Sequence, residues 1–101
     1  MVRSLRLQIQ DNVSTMLGNA APGEMISITN PALEEVSQVC AVNKIVFGHK
    51  VALRDIAEGE AIIKCAAVIG KAVKDIRQGE HVHIHNVASI EGTRGVKKQD
   101  V

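Results

Sequence analysis

Two stretches of this chain, "LRDIAEGEAI" (residues 53–62) and "VKDIRQGEHV" (residues 73–82), share one pattern: Asp-Ile, two variable residues, then Gly-Glu and the start of a strand-forming run. A weaker echo, "LGNAAPGEMI", surrounds Gly23. Glycine supplies the positive φ that closes a tight turn or bulge, and Asp55 or Asp75 can hydrogen-bond the turn backbone from its first position. The pattern predicts β-turns joining short strands. Only two copies are strict and the three glycines are unequally spaced, whereas a solenoid needs at least three regular copies at one period. The expectation is a compact all-β domain with internal duplication.

Hydrophobic alternation supports it. In "LRLQI", Leu5, Leu7 and Ile9 alternate with Arg6 and Gln8, the period of a half-buried strand. "MISIT", "HKVAL", "AIIK" and "HVHIH" read as further short strands rich in β-branched residues. "NPALEEVSQV" allows one short helix, because Asn30 can cap it and Pro31 falls where a first turn tolerates proline. After Asn86 the pattern fades into Gly, Lys and Asp, so residues 1–86 are expected to form the domain and 87–101 a polar tail or linker stub.

The chain has 101 residues, 46% hydrophobic and 23% charged, which suits one domain with one core. Phe47 is its only aromatic residue, so that core must be aliphatic. A domain of this size leaves about a third of its unfolded-chain surface exposed, so burial against a partner would help it. A net charge of +1 with interspersed signs, and no aromatic stacking platforms, argue against nucleic acid and anionic membranes. The N-terminus alternates instead of forming an apolar run, and no stretch is long enough to span a bilayer, so the chain is read as cytoplasmic. Cys40 and Cys65 lack metal or redox spacing and read as reduced structural thiols.

Three of the four histidines fall in "GEHVHIHN". On a strand His81, His83 and His85 would share one face, with Val82, Ile84 and Asn86 on the other. Two neighbouring imidazoles could then reach one metal ion, and either pair includes His83; a solvated or hydrogen-bonded face is the alternative. The fourth, His49, precedes Lys50, and on a regular strand those two point oppositely; they could enter one pocket only at a strand end or bulge. Lys64 is flanked by apolar residues, where a lysine stem ordinarily lies along apolar surface with its ammonium in water. No carboxylate pair is placed for acid and base work, and nucleophile-elbow, phosphate-loop and dinucleotide motifs are absent from the sequence.

The run "GHKVALRDIAEGEAIIKCAAVIGKAVKDIRQGEHVHIHN" (residues 48–86) closely resembles the small SAF domain of the altronate and galactarate dehydratase family, and "DNVSTML" from Asp11 resembles that domain's opening segment. The resemblance implies a β-clip of bent hairpins. It implies the small subunit or N-terminal domain of a lyase that eliminates water from altronate- or galactarate-type sugar acids, or sulfite from sulfolactate. Within it, His81, His83 and His85 would supply metal ligands, His49 and Lys50 catalytic groups, and Lys64 and Asn86 substrate contacts. The cofactor would be a divalent metal, Fe2+ first and Mn2+ or Mg2+ as alternatives. A large dehydratase-like subunit would carry most of the active site, with an anionic sugar acid or sulfonated hydroxy acid as substrate and a homo-oligomer allowed. Many relatives have Lys-Tyr-Gly where this chain has Lys64, Cys65 and Ala66, which leaves specificity open. Fold does not fix function, so the competing readings are a non-catalytic β-clip module that binds a sugar acid or metal, and a structural or oligomerisation domain.

Overall fold

The computed structural model describes residues 1–89, which form nine short strands and no helix. In chain order these are β1 (Val2–Leu5), β2 (Val13–Met16), β3 (Met25–Thr29), β4 (Glu35–Cys40), β5 (Lys50–Ala52), β6 (Ala61–Lys64), β7 (Ala67–Ala72), β8 (His81–Val82) and β9 (Val87–Ser89). Six strands make one sheet in the order β4-β3-β1-β2-β5-β8, and β6-β7-β9 make a second. Neighbours run antiparallel except β1 and β3, which are parallel with Val2 opposite Ile26. This is the all-β, bent-hairpin arrangement of a β-clip.

The repeated turn occurs four times. In residues 21–24, 46–49, 57–60 and 77–80 the fourth N–H donates to the first carbonyl, at 3.0, 3.0, 2.9 and 3.0 Å. The third residue of each is a glycine with φ between +85° and +89°, which a type II turn demands and other residues rarely adopt. In three turns the fourth residue is glutamate, whose carboxylate accepts the N–H of the first residue: Glu24 from Ala21, Glu60 from Ala57, Glu80 from Arg77. The remaining turn, 46–49, carries His49 at that position, and its ring is left for other work.

The turns face one another in pairs through bridges at Ala20–Ile45 and Ile56–Ile76. Across each pair, the side chain before the bridging residue caps the opposite turn: Asn19 accepts from the Phe47 N–H, Asp55 from Gln78 and Asp75 from Glu58. Lys44 holds the remaining position and cannot accept. The residue it would cap is Pro22, which has no N–H to satisfy.

The aliphatic interior divides into two clusters of eight buried residues in place of the single core expected. One gathers Ile26, Ile28 and Val51 around the first turn pair; the other gathers Ile62, Val82 and Val87 around the second. Val51 and Ala52, successive residues of β5, point to opposite clusters, so this strand joins the two halves. Each fully buried isoleucine or valine contributes roughly 1.5–3 kcal/mol. Phe47, 66% exposed on its turn, belongs to neither cluster.

"MISIT" and "AIIK" fall on β3 and β6 as expected, but four expectations change. The short helix does not form: Asn30 does accept the N–H groups of Ala32 and Glu34, yet Leu33 turns left-handed (φ 64°) and the chain enters β4. β1 ends at Leu5, and Ile9 lies 80% exposed in the following loop. Strand β8 stops at Val82, so residues 83–86 form a turn instead of continuing "HVHIH". Residues 87–89 of the expected tail are strand β9, paired with β7; residues 90–101 lie outside the described residues. No helix of the described residues is long and apolar enough to cross a membrane.

Candidate metal and substrate site

Three imidazoles converge where β5 and β8 pair. The ligand nitrogens of His49, His81 and His83 all lie within 4.8 Å of one another, and His49 Nδ1 stands 2.9 Å from His81 Nε2. Ring centroids are 4.5 Å apart for His49–His83 and 5.5 Å for His81–His83, the latter pair stacked. His49 arrives from the one turn without glutamate, directly before β5. Alternation then sends His81 and His83 outward and Val82, fully buried, inward.

The alternation fails one residue later. Ile84 is 60% exposed where a regular strand would bury it, because residues 83–86 turn, with the Asn86 N–H donating to the His83 carbonyl at 3.1 Å. Asn86 itself is fully buried. Its Oδ1 accepts the His83 N–H at 2.9 Å and its Nδ2 donates to the His81 carbonyl at 2.8 Å. Asn43 Oδ1 holds the His81 N–H at 2.9 Å. His85 stacks obliquely near His81, at 5.1 Å between centroids, but stands outside the convergent trio.

Burial, and then the neighbouring His85, His49 and His83, push the His81 pKa down from 6.5 to about 4. His83 is lowered for the same first reason, with His49, Lys50 and His85 adding to it. Both rings are therefore neutral at neutral pH, the form that ligates a metal. Lys50, only 7% exposed, has its ammonium pKa lowered by burial first and by the charge of Lys64 second. His49 closes the 46–49 turn and the buried Lys50 begins β5, so the two are successive residues at a strand start.

Lys64 is half-buried at the end of β6. The turn after it is built by Asp11, whose carboxylate accepts the N–H groups of Gln8, Cys65 and Ala66. Asn12 clamps β6 from the same corner, donating to the Ala61 carbonyl and accepting from the Ile63 N–H. The sequence reading did not single out Asp11, Asn12 or Asn43, since capping side chains acquire meaning only once distant strands meet. A depression of about 380 Å³ lies away from the imidazoles, between the third and fourth turns. Its Asp55, Asp75 and Glu60 are engaged by backbone N–H groups, so it offers little chemistry.

Residues 2–90 match the family described as the altronate/galactarate dehydratase SAF domain, and the chain belongs to that family. Over 43 residues it is 60% identical to the (2R)-sulfolactate sulfo-lyase subunit alpha of Chromohalobacter salexigens, covering 43% of this chain and 46% of that relative. Over 82 residues it is 38% identical to the altronate dehydratase of Escherichia coli, covering 81% of this chain and 15% of the relative. A sulfo-lyase subunit alpha from Paracoccus pantotrophus is 50% identical over 42 residues, 42% of this chain and 63% of the relative. The chain spans less than two thirds of each of these relatives.

Proposed function

We propose that this chain is the small unit of a metal-dependent lyase that eliminates water or sulfite from a hydroxy acid, with His49, His81 and His83 as its contribution to the metal site. The convergence of those three imidazoles carries the reading. Metal–nitrogen bonds are about 2.1 Å long, so adjacent ligands on one ion stand about 3 Å apart, which is the His49–His81 spacing. Nitrogen donors suit Fe2+, Mn2+ or Zn2+ better than Mg2+, which prefers oxygen; Fe2+ remains the first candidate. The bound ion would supply charge stabilisation to the oxygens of a substrate carboxylate as the adjacent proton leaves.

This chain's own residues do the holding. Asn86 and Asn43 fix the backbone of His81 and His83, making Asn86 a positioning residue in this reading, while His85 stays outside the ligand set. Three ligands leave coordination positions for substrate and for groups from a large subunit, which would carry the acid and base. The relatives named as a subunit alpha support such a partner.

The test is co-expression with the large dehydratase-like chain from the same genome, followed by assay of aldonic, aldaric and sulfonated hydroxy acids with Fe2+, Mn2+ or Mg2+. Metal binding by each variant is read separately by calorimetry. The expected result is metal-dependent loss of water or sulfite that collapses in His83→Ala while the complex still assembles. Full activity in that variant would end the reading.

A further inference from the structure

At the opposite end of the six-stranded sheet from the imidazoles lies a hollow of about 270 Å³, lined by Met1, Arg3, Ser27, Thr29, Leu33 and Glu35. Strand register assembles it. Ile26 and Ile28 point into a core cluster, so alternation turns Ser27 and Thr29 of β3 to the other face. Arg3 of β1 stands opposite Ser27, and Glu35 of β4 opposite Thr29 where the β3–β4 register shifts. Ser27 and Thr29 are buried, 6% and 1% exposed, and give the hollow a polar floor. Glu35 is held at one wall: Oε1 accepts from Ser27 Oγ at 2.7 Å and Oε2 from Gln38 Nε2 at 2.9 Å. Those bonds keep its pKa below the ordinary carboxylate value, so it is a fixed anion at neutral pH. Arg3 brings the opposite charge from the far wall, yet the two do not pair, since Arg54–Glu60 is the one ion pair among the described residues.

We propose that this hollow binds a small zwitterion, an α-amino acid, whose carboxylate meets Arg3 and whose ammonium meets Glu35. Adjacent strands lie about 4.8 Å apart, so β1 and β4, with β3 between them, are separated by about 10 Å. An amino acid, its two charges joined through a single carbon, spans that gap. The guanidinium presents parallel N–H groups that match a carboxylate, and such charge-assisted bonds are the strong ones. The Glu35 oxygens accept from an ammonium with the lone pairs that Ser27 and Gln38 leave. Met1 and Leu33, 71% and 54% exposed, give the hollow an apolar rim that suits an aliphatic side chain. Fixing a solvent-exposed glutamate costs side-chain entropy and adds little stability. Here the fixing is done before a ligand arrives, which is how preorganised sites gain affinity. The proposal rests on no part of the lyase reading: β2 separates the hollow from β5, and neither an imidazole nor a metal takes part.

The test uses the full chain, labelled with nitrogen-15 and free of metal, titrated with L-leucine at neutral pH and constant ionic strength. Saturable shifts of the Arg3, Ser27 and Glu35 amides in roughly the millimolar range, with the His83 amide unmoved, support the site; two charge-assisted bonds give about that affinity. Isocaproate and isopentylamine keep leucine's side chain but lack its ammonium and its carboxylate respectively. Each should bind at least about tenfold more weakly, the loss of one such bond. Arg3→Gln and Glu35→Gln, both at exposed positions, should weaken leucine by a similar factor. Arg3→Gln should then bind leucine no better than isopentylamine, and Glu35→Gln no better than isocaproate, a loss of discrimination that a folding defect does not produce. Shifts that never saturate, that centre on His83, or that persist unchanged in both variants overturn the proposal. So does an analogue with one charge that binds the wild type as tightly as leucine.

Discussion

His49 Nδ1 and His81 Nε2 lie 2.9 Å apart, although 32 residues separate them in sequence. Without a metal one ring donates to the other according to tautomer, and both cannot be protonated at that distance without repulsion. This fixes the sign of a pH effect. His81 is held down to about 4 when folded and returns to about 6.5 when unfolded, so the unfolded chain binds the extra proton first. Its contribution to stability is full above about pH 6.5 and is lost as pH falls towards 4. Thermal melts across this range should show a steeper acid loss for the wild type than for His81→Asn.

Gly59 and Gly79 share the same turn position and nearly the same φ, +89° and +87°, yet differ in surroundings. A Cβ on Gly59 meets nothing within 4 Å, whereas one on Gly79 would fall 1.9 Å from the Cys40 carbonyl oxygen. Gly59→Ala should cost about 1–2 kcal/mol, the left-handed penalty alone. Gly79→Ala adds a clash with backbone and should cost about 1–3 kcal/mol more. Urea denaturation of the two variants checks the difference.

Much of the fold was legible because it rests on local rules. The Gly-Glu turns and the β-branched runs each dictate structure within a few residues, and β3 and β6 fell where those runs put them. What escaped depended on distant partners. The turn ending in His49 has no glutamate, and only the positive φ of Gly48, +85°, marks it as a copy of the other three. Likewise the histidines converge through the β5–β8 pairing and the Asn86 turn, not through a strand face shared by all three; that is why His49 joins the cluster and His85 does not. Asp11 reaches Cys65 and Ala66 across more than fifty positions, a contact that periodicity cannot reveal.

Cys65 and Ala66 occupy the left-handed region, φ 55° and 63°, at the tip of the β6–β7 hairpin. Two-residue turns of this kind favour Asn-Gly, because a side chain with Cβ is strained there by roughly 1 kcal/mol or more. Ala66→Gly should therefore stabilise the chain by about 0.5–1 kcal/mol, the gain being reduced by the freedom that glycine adds to the unfolded state. An unchanged or lowered denaturation midpoint would mean that Ala66 makes compensating contacts.

Asn86 donates to one histidine's backbone and accepts from another's, so Asn86→Asp should be more informative than removal of the side chain. The carboxylate keeps the acceptor for the His83 N–H and loses the donor to the His81 carbonyl, leaving that oxygen facing a buried charge. A stability loss of about 1–3 kcal/mol is expected, the range for a buried group left unsatisfied. In the same variant, the aromatic proton signals of His81 should shift more than those of His49, which is anchored on a different turn.

His49→Gln separates the fold from the site. Gln at the fourth turn position can accept the Val46 N–H just as Glu24, Glu60 and Glu80 accept theirs, so the turn should be as stable as in the wild type or more so. The amide is a poor ligand for a transition metal, and one of the three convergent nitrogens is gone. Melting temperature should hold or rise while Mn2+ or Fe2+ affinity falls at least about tenfold, a loss that even outer-shell substitutions cause at metal sites. Calorimetry on the same preparation reads both quantities. A variant that keeps its affinity would mean that His81 and His83 bind the ion without His49, and the glutamate missing from this turn would then need another explanation.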